Sequence, residues 1–92
     1  MKDLALLTDF YQLSMMQGYF FTKPDQTAVF DVFYRKNPSG GGYAIFCGLN
    51  EVVDYIENLK FSEDDIAYLK SLNLFKPEFL EFLRGFKFSG EI

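Results

Sequence analysis

Apolar side chains recur every three or four residues in four parts of the chain, the spacing that places them on one face of an α-helix. The first helix is predicted over residues 8–21, with Thr8 as its N-cap and Asp9 favoured beside it by the helix dipole. Its inward stripe would consist of Leu13, Met16 and Phe20. Pro24 disfavours helical backbone at the residue before it and therefore ends this pattern.

Three more helices are predicted in the second half of the sequence. The clearest amphipathic pattern has its apolar stripe at Leu49, Val52, Val53, Ile56 and Leu59. Ser62 opens the next helix with an acidic first turn, and Asn73 is a suitable end for it. Its packed side would consist of Ile66, Leu69 and Leu72. Pro77 suits the first turn of the last helix and Gly85 suits its end. The inward residues there would be Phe79, Leu80 and Leu83.

Two stretches have the composition of β-strands. Residues 27–35 are rich in β-branched and aromatic side chains, and residues 43–46 form a second, shorter candidate after the glycine-rich loop 37–42. Residues 86–92 again look extended. The predicted fold class is therefore α+β, with an N-terminal helix, short antiparallel strands and a three-helix segment. Two short strands form a poor sheet alone, so we expect residues 1–92 to be one N-terminal domain that requires further protein.

Composition and charge narrow the class of protein. Hydrophobic residues make up 49% of the chain and aromatic residues 20%, which indicates a packed core and excludes a disordered linker. No apolar run approaches the length of a membrane span and no export signal is visible, so we expect a cytoplasmic protein without a membrane partner. Nine basic residues against thirteen acidic ones argue against a nucleic-acid partner.

The absence of histidine and the single cysteine exclude several kinds of chemistry. This chain alone cannot build a Ser-His or Cys-His pair, a histidine metal site, a disulfide or a zinc thiolate cage. Cys47 has apolar neighbours and is interpreted as a small buried residue rather than a nucleophile. The acidic run at residues 63–65 is explained by the helix dipole, so we predict no metal site there.

The first candidate site lies at the start of the first helix, where Asp9, Tyr11 and Gln12 share one turn with free backbone N–H groups. The Tyr11 ring could stack on a planar ring while its hydroxyl or the nearby carboxylate holds a ring substituent. The same residues also fit an ordinary capped helix, in which Asp9 interacts favourably with the helix dipole and Tyr11 lies in the core. The local sequence alone favours this second interpretation.

The second candidate is Arg35, which is followed by Lys36 and the glycine-rich loop. An arginine offers paired donors to a phosphate, and glycines let the backbone approach it closely. An ordinary surface arginine beside a hairpin connection is the alternative. The loop has the spacing of neither a P-loop nor the dinucleotide-binding fingerprint. This motif alone therefore does not distinguish a phosphate site from an ordinary surface arginine.

The sequence resembles the N-terminal region of nicotinate phosphoribosyltransferase in three stretches, taken in order. These are LLTDFYQLSM at residues 6–15, AVFDVFYRKNP at residues 28–38 and GGYAIFCGL at residues 41–49. Residues 61–69 and 79–83 continue the resemblance, which thus covers nearly the whole chain. The order of these motifs is more specific than any one of them.

This resemblance implies the formation of nicotinate mononucleotide from nicotinate and phosphoribosyl pyrophosphate in NAD salvage, with ATP and Mg²⁺ used by the full-length enzyme. It also implies an α/β barrel and a homodimer whose active site lies at the subunit interface. Tyr11 is similar to a tyrosine that stacks on the pyridine ring in the neighbour's site, Asp9 to the acidic residue beside it, and Arg35 to an arginine that reaches the phosphate groups. Gln12 is similar to the residue of the nicotinate branch rather than the nicotinamide branch.

The family's phosphorylated histidine and its phosphate-binding loops belong to the barrel, whereas this chain contains no histidine. We therefore expect a fragment without the catalytic barrel that is inactive alone and binds no cofactor by itself. Such a fragment should expose an apolar face and an unpaired last strand. The alternative, a stand-alone interaction module of the same fold, should have closed surfaces.

Overall fold

The computed structural model describes residues 4–92 and contains four α-helices. Their bounds are α1 Phe10–Thr22, α2 Leu49–Asn58, α3 Glu63–Ser71 and α4 Pro77–Arg84. A single 3-10 turn, Pro38–Gly40, lies in the long connection between α1 and α2. No helix among the described residues is both long enough and apolar enough to cross a membrane.

The core forms where α3 and α4 pack against each other and α1 packs on them. Its buried residues are Ala5, Leu13, Phe61, Ile66, Leu69, Phe79, Leu80 and Leu83. Phe79 and Leu83 of α4 have no exposed surface. Leu13 comes from α1, as its helical spacing predicted, and Met16 and Phe20 pack partly buried beside it.

The ends of α3 and α4 follow local sequence signals. Ser62 and Asp65 form a reciprocal capping box: Ser62 Oγ accepts from the Asp65 N–H at 3.1 Å, and Asp65 Oδ2 accepts from the Ser62 N–H at 2.9 Å. Asn73 follows α3 with a left-handed backbone, φ 57°, which ends the helix. Pro77 occupies the first turn of α4 and Gly85 its C-cap. The predicted roles of Ser62, Asn73, Pro77 and Gly85 at the helix ends are therefore confirmed.

The N-cap of α1 differs from the prediction by one residue. Thr8 is bound into the turn before the helix, because its N–H donates to the Leu6 carbonyl at 2.9 Å. Asp9 has the extended backbone of an N-cap, and its carbonyl accepts from the Gln12 N–H at 3.0 Å. The predicted cap at Thr8 is therefore wrong, and the helix begins after Asp9.

The predicted α+β fold class is wrong, because residues 4–92 contain helices and no β-strand. Neither residues 27–35 nor residues 43–46 take part in a strand ladder, and residues 86–92 do not either. A strand is stabilised by hydrogen bonds and side-chain pairs with a neighbour, and β-forming composition does not supply that neighbour. Val29, Phe30, Ile45 and Phe46 are instead more than 80% exposed.

The described chain is more open than a compact domain of its length. Its radius of gyration is 15.7 Å, against about 12 Å for a compact chain of the same length. Its accessible surface is 8077 Å², against about 5,500 Å² for a compact protein of this mass. The long connection and α2, which has no buried residue, carry much of the excess.

Candidate functional site

The start of α1 presents Asp9 and Tyr11 together at the surface. Asp9 is the N-cap residue, but its carboxylate makes no capping hydrogen bond and is exposed. Tyr11 lies in the first helical turn with 57% of its surface exposed, and its hydroxyl accepts from Gln12 Nε2 at 3.4 Å. Tyr11 therefore does not lie in the core, contrary to the ordinary capped-helix interpretation.

This turn offers a planar ligand three kinds of contact. The exposed face of the Tyr11 ring can stack on an aromatic ring. The first N–H groups of a helix have no partner within it, and the dipole makes this end attractive to a carboxylate. The Asp9 carboxylate and the Tyr11 hydroxyl can accept hydrogen bonds at the same place.

The opposite side of α1 is held by aromatic contacts. The ring of Phe10 lies 5.9 Å from that of Phe75, just before α4. The ring of Phe20 lies 5.8 Å from Phe79 and 4.8 Å from Phe82, both on α4. The first turn of α1 is thus supported from behind by the core while Tyr11 faces outward.

Gln17 is a residue that the sequence reasoning missed. Its side chain bonds to the main chain before α4, at Leu74 and Lys76. The available signal was its position, four residues after Leu13 and three before Phe20, on the inward stripe of α1. A polar residue on an apolar stripe needs a hydrogen-bond partner when the stripe is buried.

Arg35 lies in the long connection and its side chain is exposed. It forms no ion pair with the acidic residues of the described chain, and no hydrogen bond there joins it to Asp9 or Tyr11. The main chain then bends through left-handed backbone at Ser39 (φ 55°) and Gly40 (φ 67°). Residues 4–92 therefore bring Asp9 and Tyr11 together and leave Arg35 separate.

Cys47 is exposed, so the prediction that it is a small buried residue is wrong. Its apolar neighbours, residues 43–46, do not pack on the core and therefore do not enclose it. The acidic run at the start of α3 agrees with its sequence interpretation: Asp65 completes the capping box, and Glu63 pairs with Arg84 at 2.8 Å. Within residues 4–92, no three histidine, cysteine, aspartate or glutamate side chains come together as metal ligands.

A cleft of about 400 Å³ lies beside α3 and α4. It is lined by Ile66, Lys70, Asn73, Phe75, Pro77, Leu80, Glu81 and Arg84. None of the residues predicted as a site belongs to it. Arg84, which lines the cleft, is already paired with Glu63 and Glu81.

Comparison with known proteins identifies the family. Residues 6–92 match the family model described as the nicotinate phosphoribosyltransferase N-terminal domain. A nicotinate phosphoribosyltransferase of Mycobacterium tuberculosis is 42% identical over 88 residues, which are 96% of this chain and 19% of that protein. One of Caenorhabditis elegans is 47% identical over 81 residues, 85% of this chain and 14% of that protein.

A nicotinate phosphoribosyltransferase of Bacillus subtilis is 39% identical over 69 residues, which are 74% of this chain and 14% of that protein. The chain thus spans less than a fifth of the length of these relatives. The match nevertheless includes Asp9 and the helix that carries Tyr11, the connection that carries Arg35, and the helical core. The chain belongs to the nicotinate phosphoribosyltransferase family, which it matches through the N-terminal domain.

Proposed function

We propose that this chain is the N-terminal part of an enzyme that forms nicotinate mononucleotide from nicotinate and phosphoribosyl pyrophosphate, a step of NAD salvage coupled to ATP hydrolysis. The observation that carries the proposal is the family match over residues 6–92. Relatives that share 39–47% of their residues with this chain are named for the same transfer.

In this proposal, the start of α1 forms one wall of the nicotinate site. The exposed Tyr11 ring stacks on the pyridine ring, an arrangement that contributes about 0.5–1.5 kcal/mol beyond the buried area. The free N–H groups of the first turn favour the nicotinate carboxylate, since this end of a helix attracts anions. Asp9 borders the same ring, and its carboxylate accepts hydrogen bonds from ordered water at the edge of the site.

Arg35 is proposed to bind the phosphate groups of phosphoribosyl pyrophosphate. Its guanidinium can give two parallel hydrogen bonds to one phosphate group. It is exposed and unpaired with the acidic side chains of the described residues, so a ligand need not displace an internal partner. No hydrogen bond joins Arg35 to Tyr11 within the described residues, so the two residues need not belong to the same copy of the site.

We further propose a cytoplasmic homodimer in which Tyr11 completes the site of the neighbouring subunit. Tyr11, Met15 and Tyr19 lie on the outward side of α1, and each is at least 45% exposed. A helix that is apolar on both sides is normally covered on both. A neighbouring subunit over this side would cover the outer apolar residues and receive the Tyr11 ring.

ATP and Mg²⁺ are assigned to the complete enzyme rather than to a site within this chain. The described residues offer no cluster of three carboxylate or other metal-ligating groups.

A non-catalytic interaction module is the second functional class, and it predicts closed surfaces. The structure instead exposes a long apolar connection, with Phe30 at 87% and Phe46 at 83%. This observation favours the enzyme part over the module.

The proposed function is tested with the full-length protein, supplied with nicotinate and phosphoribosyl pyrophosphate in the presence of Mg²⁺ and ATP. The expected product is nicotinate mononucleotide, measured by chromatography, with little product when nicotinamide replaces nicotinate. Absence of product from a folded protein, or equal use of nicotinamide, would contradict the proposal.

A further inference from the structure

The side-chain amide of Gln17 makes two hydrogen bonds to the main chain that leads into α4. Its Oε1 accepts from the Lys76 N–H at 2.7 Å. Its Nε2 donates to the Leu74 carbonyl at 3.3 Å. Among residues 4–92, no other side-chain hydrogen bond joins α1 to the rest of the helical core. One amide therefore provides the directional part of this attachment.

The remaining contacts of α1 with the core are mostly apolar. Phe10 and Phe20 pack on other phenylalanine rings, and Leu13 is buried. Such burial is non-directional. Since α1 also has apolar side chains at Met15 and Tyr19 on its outer side, burial alone specifies its rotation weakly. A slip of one residue would turn the helix by about 100° and move it about 1.5 Å along its axis.

The amide of Gln17 removes this ambiguity, because both of its bonds require the helix in one rotation and one register. Tyr11 precedes Gln17 by six residues, which places the two side chains about 120° apart around the axis. When Gln17 faces the main chain at residues 74–76, Tyr11 must face away from the core. The 57% exposure of Tyr11 agrees with this arrangement.

We propose that Gln17 is a positioning residue for the nicotinate site: its two hydrogen bonds fix the rotation of α1 and thereby the placement of the Tyr11 ring. This inference rests on the proposed role of Tyr11 in nicotinate binding. Small displacements of a binding group have large effects on how well it contacts its ligand. Loss of the Gln17 bonds should therefore weaken nicotinate binding although Gln17 does not touch the ligand.

Lys76 reinforces the same attachment from the other side. It is the N-cap residue of α4, and its backbone N–H donates the hydrogen bond that Gln17 Oε1 accepts. Its Nζ lies 5.2 Å from the centre of the Phe21 ring, near the end of α1. The two contacts tie the second half of α1 to the start of α4.

The test compares three variants of the full-length protein. Gln17→Met keeps the length of the side chain and removes both hydrogen bonds. Gln17→Glu keeps the acceptor for the Lys76 N–H and loses the donor to Leu74. Gln26→Met is the matched control, because the side chain of Gln26 is exposed and makes no hydrogen bond within the described residues.

We expect Gln17→Met to raise the KM for nicotinate about tenfold, the scale expected for the loss of two partly exposed hydrogen bonds. The kcat and the KM for phosphoribosyl pyrophosphate should stay within about twofold of the unmodified protein. Gln17→Glu should give an intermediate KM, and Gln26→Met should have no effect. A merely structural role would lower the folded fraction and the apparent kcat and leave both KM values unchanged.

The possible results separate this inference from the proposed function. An unchanged nicotinate KM in Gln17→Met, together with a raised KM in Tyr11→Ala, overturns the positioning role and leaves the proposed function intact. An unchanged KM in both variants of an active enzyme overturns the role of Tyr11 and this inference with it. If Gln17→Met does not fold, the nicotinate KM of Gln17→Glu is compared with that of Tyr11→Ala instead. An unchanged nicotinate KM in Gln17→Glu then overturns the positioning role.

Discussion

Arg84 Nε lies 2.8 Å from Glu63 Oε1, and this ion pair joins the last turn of α4 to the first turn of α3. The contact shows that the two helices run in opposite directions. Both side chains are substantially exposed, at 41% and 73%. Water screens such pairs, so the stability of this helix pair comes from the apolar residues between the helices.

Removal of the ion pair should therefore have a small effect on stability. Glu63→Gln is expected to lower the free energy of unfolding by less than about 1 kcal/mol. Leu83→Ala, at a position without exposed surface, should lower it by about 2–5 kcal/mol, because it leaves a cavity in the core. Urea unfolding followed by circular dichroism measures both. Equal losses in the two variants would show that the ion pair contributes as much as the core.

The capping box at the start of α3 gives a second prediction. Ser62→Ala removes the oxygen that accepts from the Asp65 N–H, and should lower the free energy of unfolding by about 1 kcal/mol. Ser89→Ala is the matched control, since Ser89 is exposed outside any helix. The same urea measurement applies. A loss of stability as large in the control would argue against the cap as the cause.

The helical half of the fold was predictable because its signals are local. A serine three residues before Asp65, a proline at the first position of α4 and Asn73 after α3 each act within one turn of the main chain. The amphipathic pattern of α4 also placed Phe79 and Leu83 correctly in the core. The cap of α1 was missed by one residue, because Thr8 and Asp9 are both good caps and a preceding turn decides between them.

The long connection gives a third prediction, on hydrogen exchange in the 92-residue chain. Backbone amides of residues 29–36 make no hydrogen bond within the described chain, so they should exchange at close to unprotected rates. Amides of α3 and α4 should be slowed by their helical bonds and buried side chains. Protection of residues 29–36 equal to that of α3 would contradict the open structure of this segment.

The sequence predicted neither the absence of strands in the described residues nor much of the site, because both depend on contacts between distant parts of the chain. The β-branched residues at 27–35 favour a strand only when a neighbour accepts its hydrogen bonds. Gln17 contacts residues that lie 57 and 59 positions away, and no pattern in the sequence gives that distance. Tyr11 was predictable as a candidate, but its exposure depends on the rotation of α1 against α4.

The proposed role of Arg35 gives a fourth prediction, for the full-length protein. Arg35→Ala should raise the KM for phosphoribosyl pyrophosphate by about tenfold or more, because a charge-assisted hydrogen-bond pair is lost, and should change the KM for nicotinate little. Lys23→Ala is the control, since it removes an exposed positive charge outside the proposed site. Steady-state kinetics with each substrate varied in turn measure the effect. Equal increases for both substrates would indicate a structural role for Arg35.

We propose that the start of α1 binds the nicotinate ring through Tyr11, and the most direct measurement compares Tyr11→Ala with Tyr68→Ala in the full-length protein. Both tyrosines lie on helices with similar exposure, 57% and 58%, and Tyr68 of α3 lies outside the proposed site and the proposed subunit interface. We predict that Tyr11→Ala raises the KM for nicotinate at least about tenfold through loss of ring stacking and contact area, while Tyr68→Ala leaves it within about twofold. An unchanged nicotinate KM in a normally folded Tyr11→Ala protein would contradict the role of Tyr11.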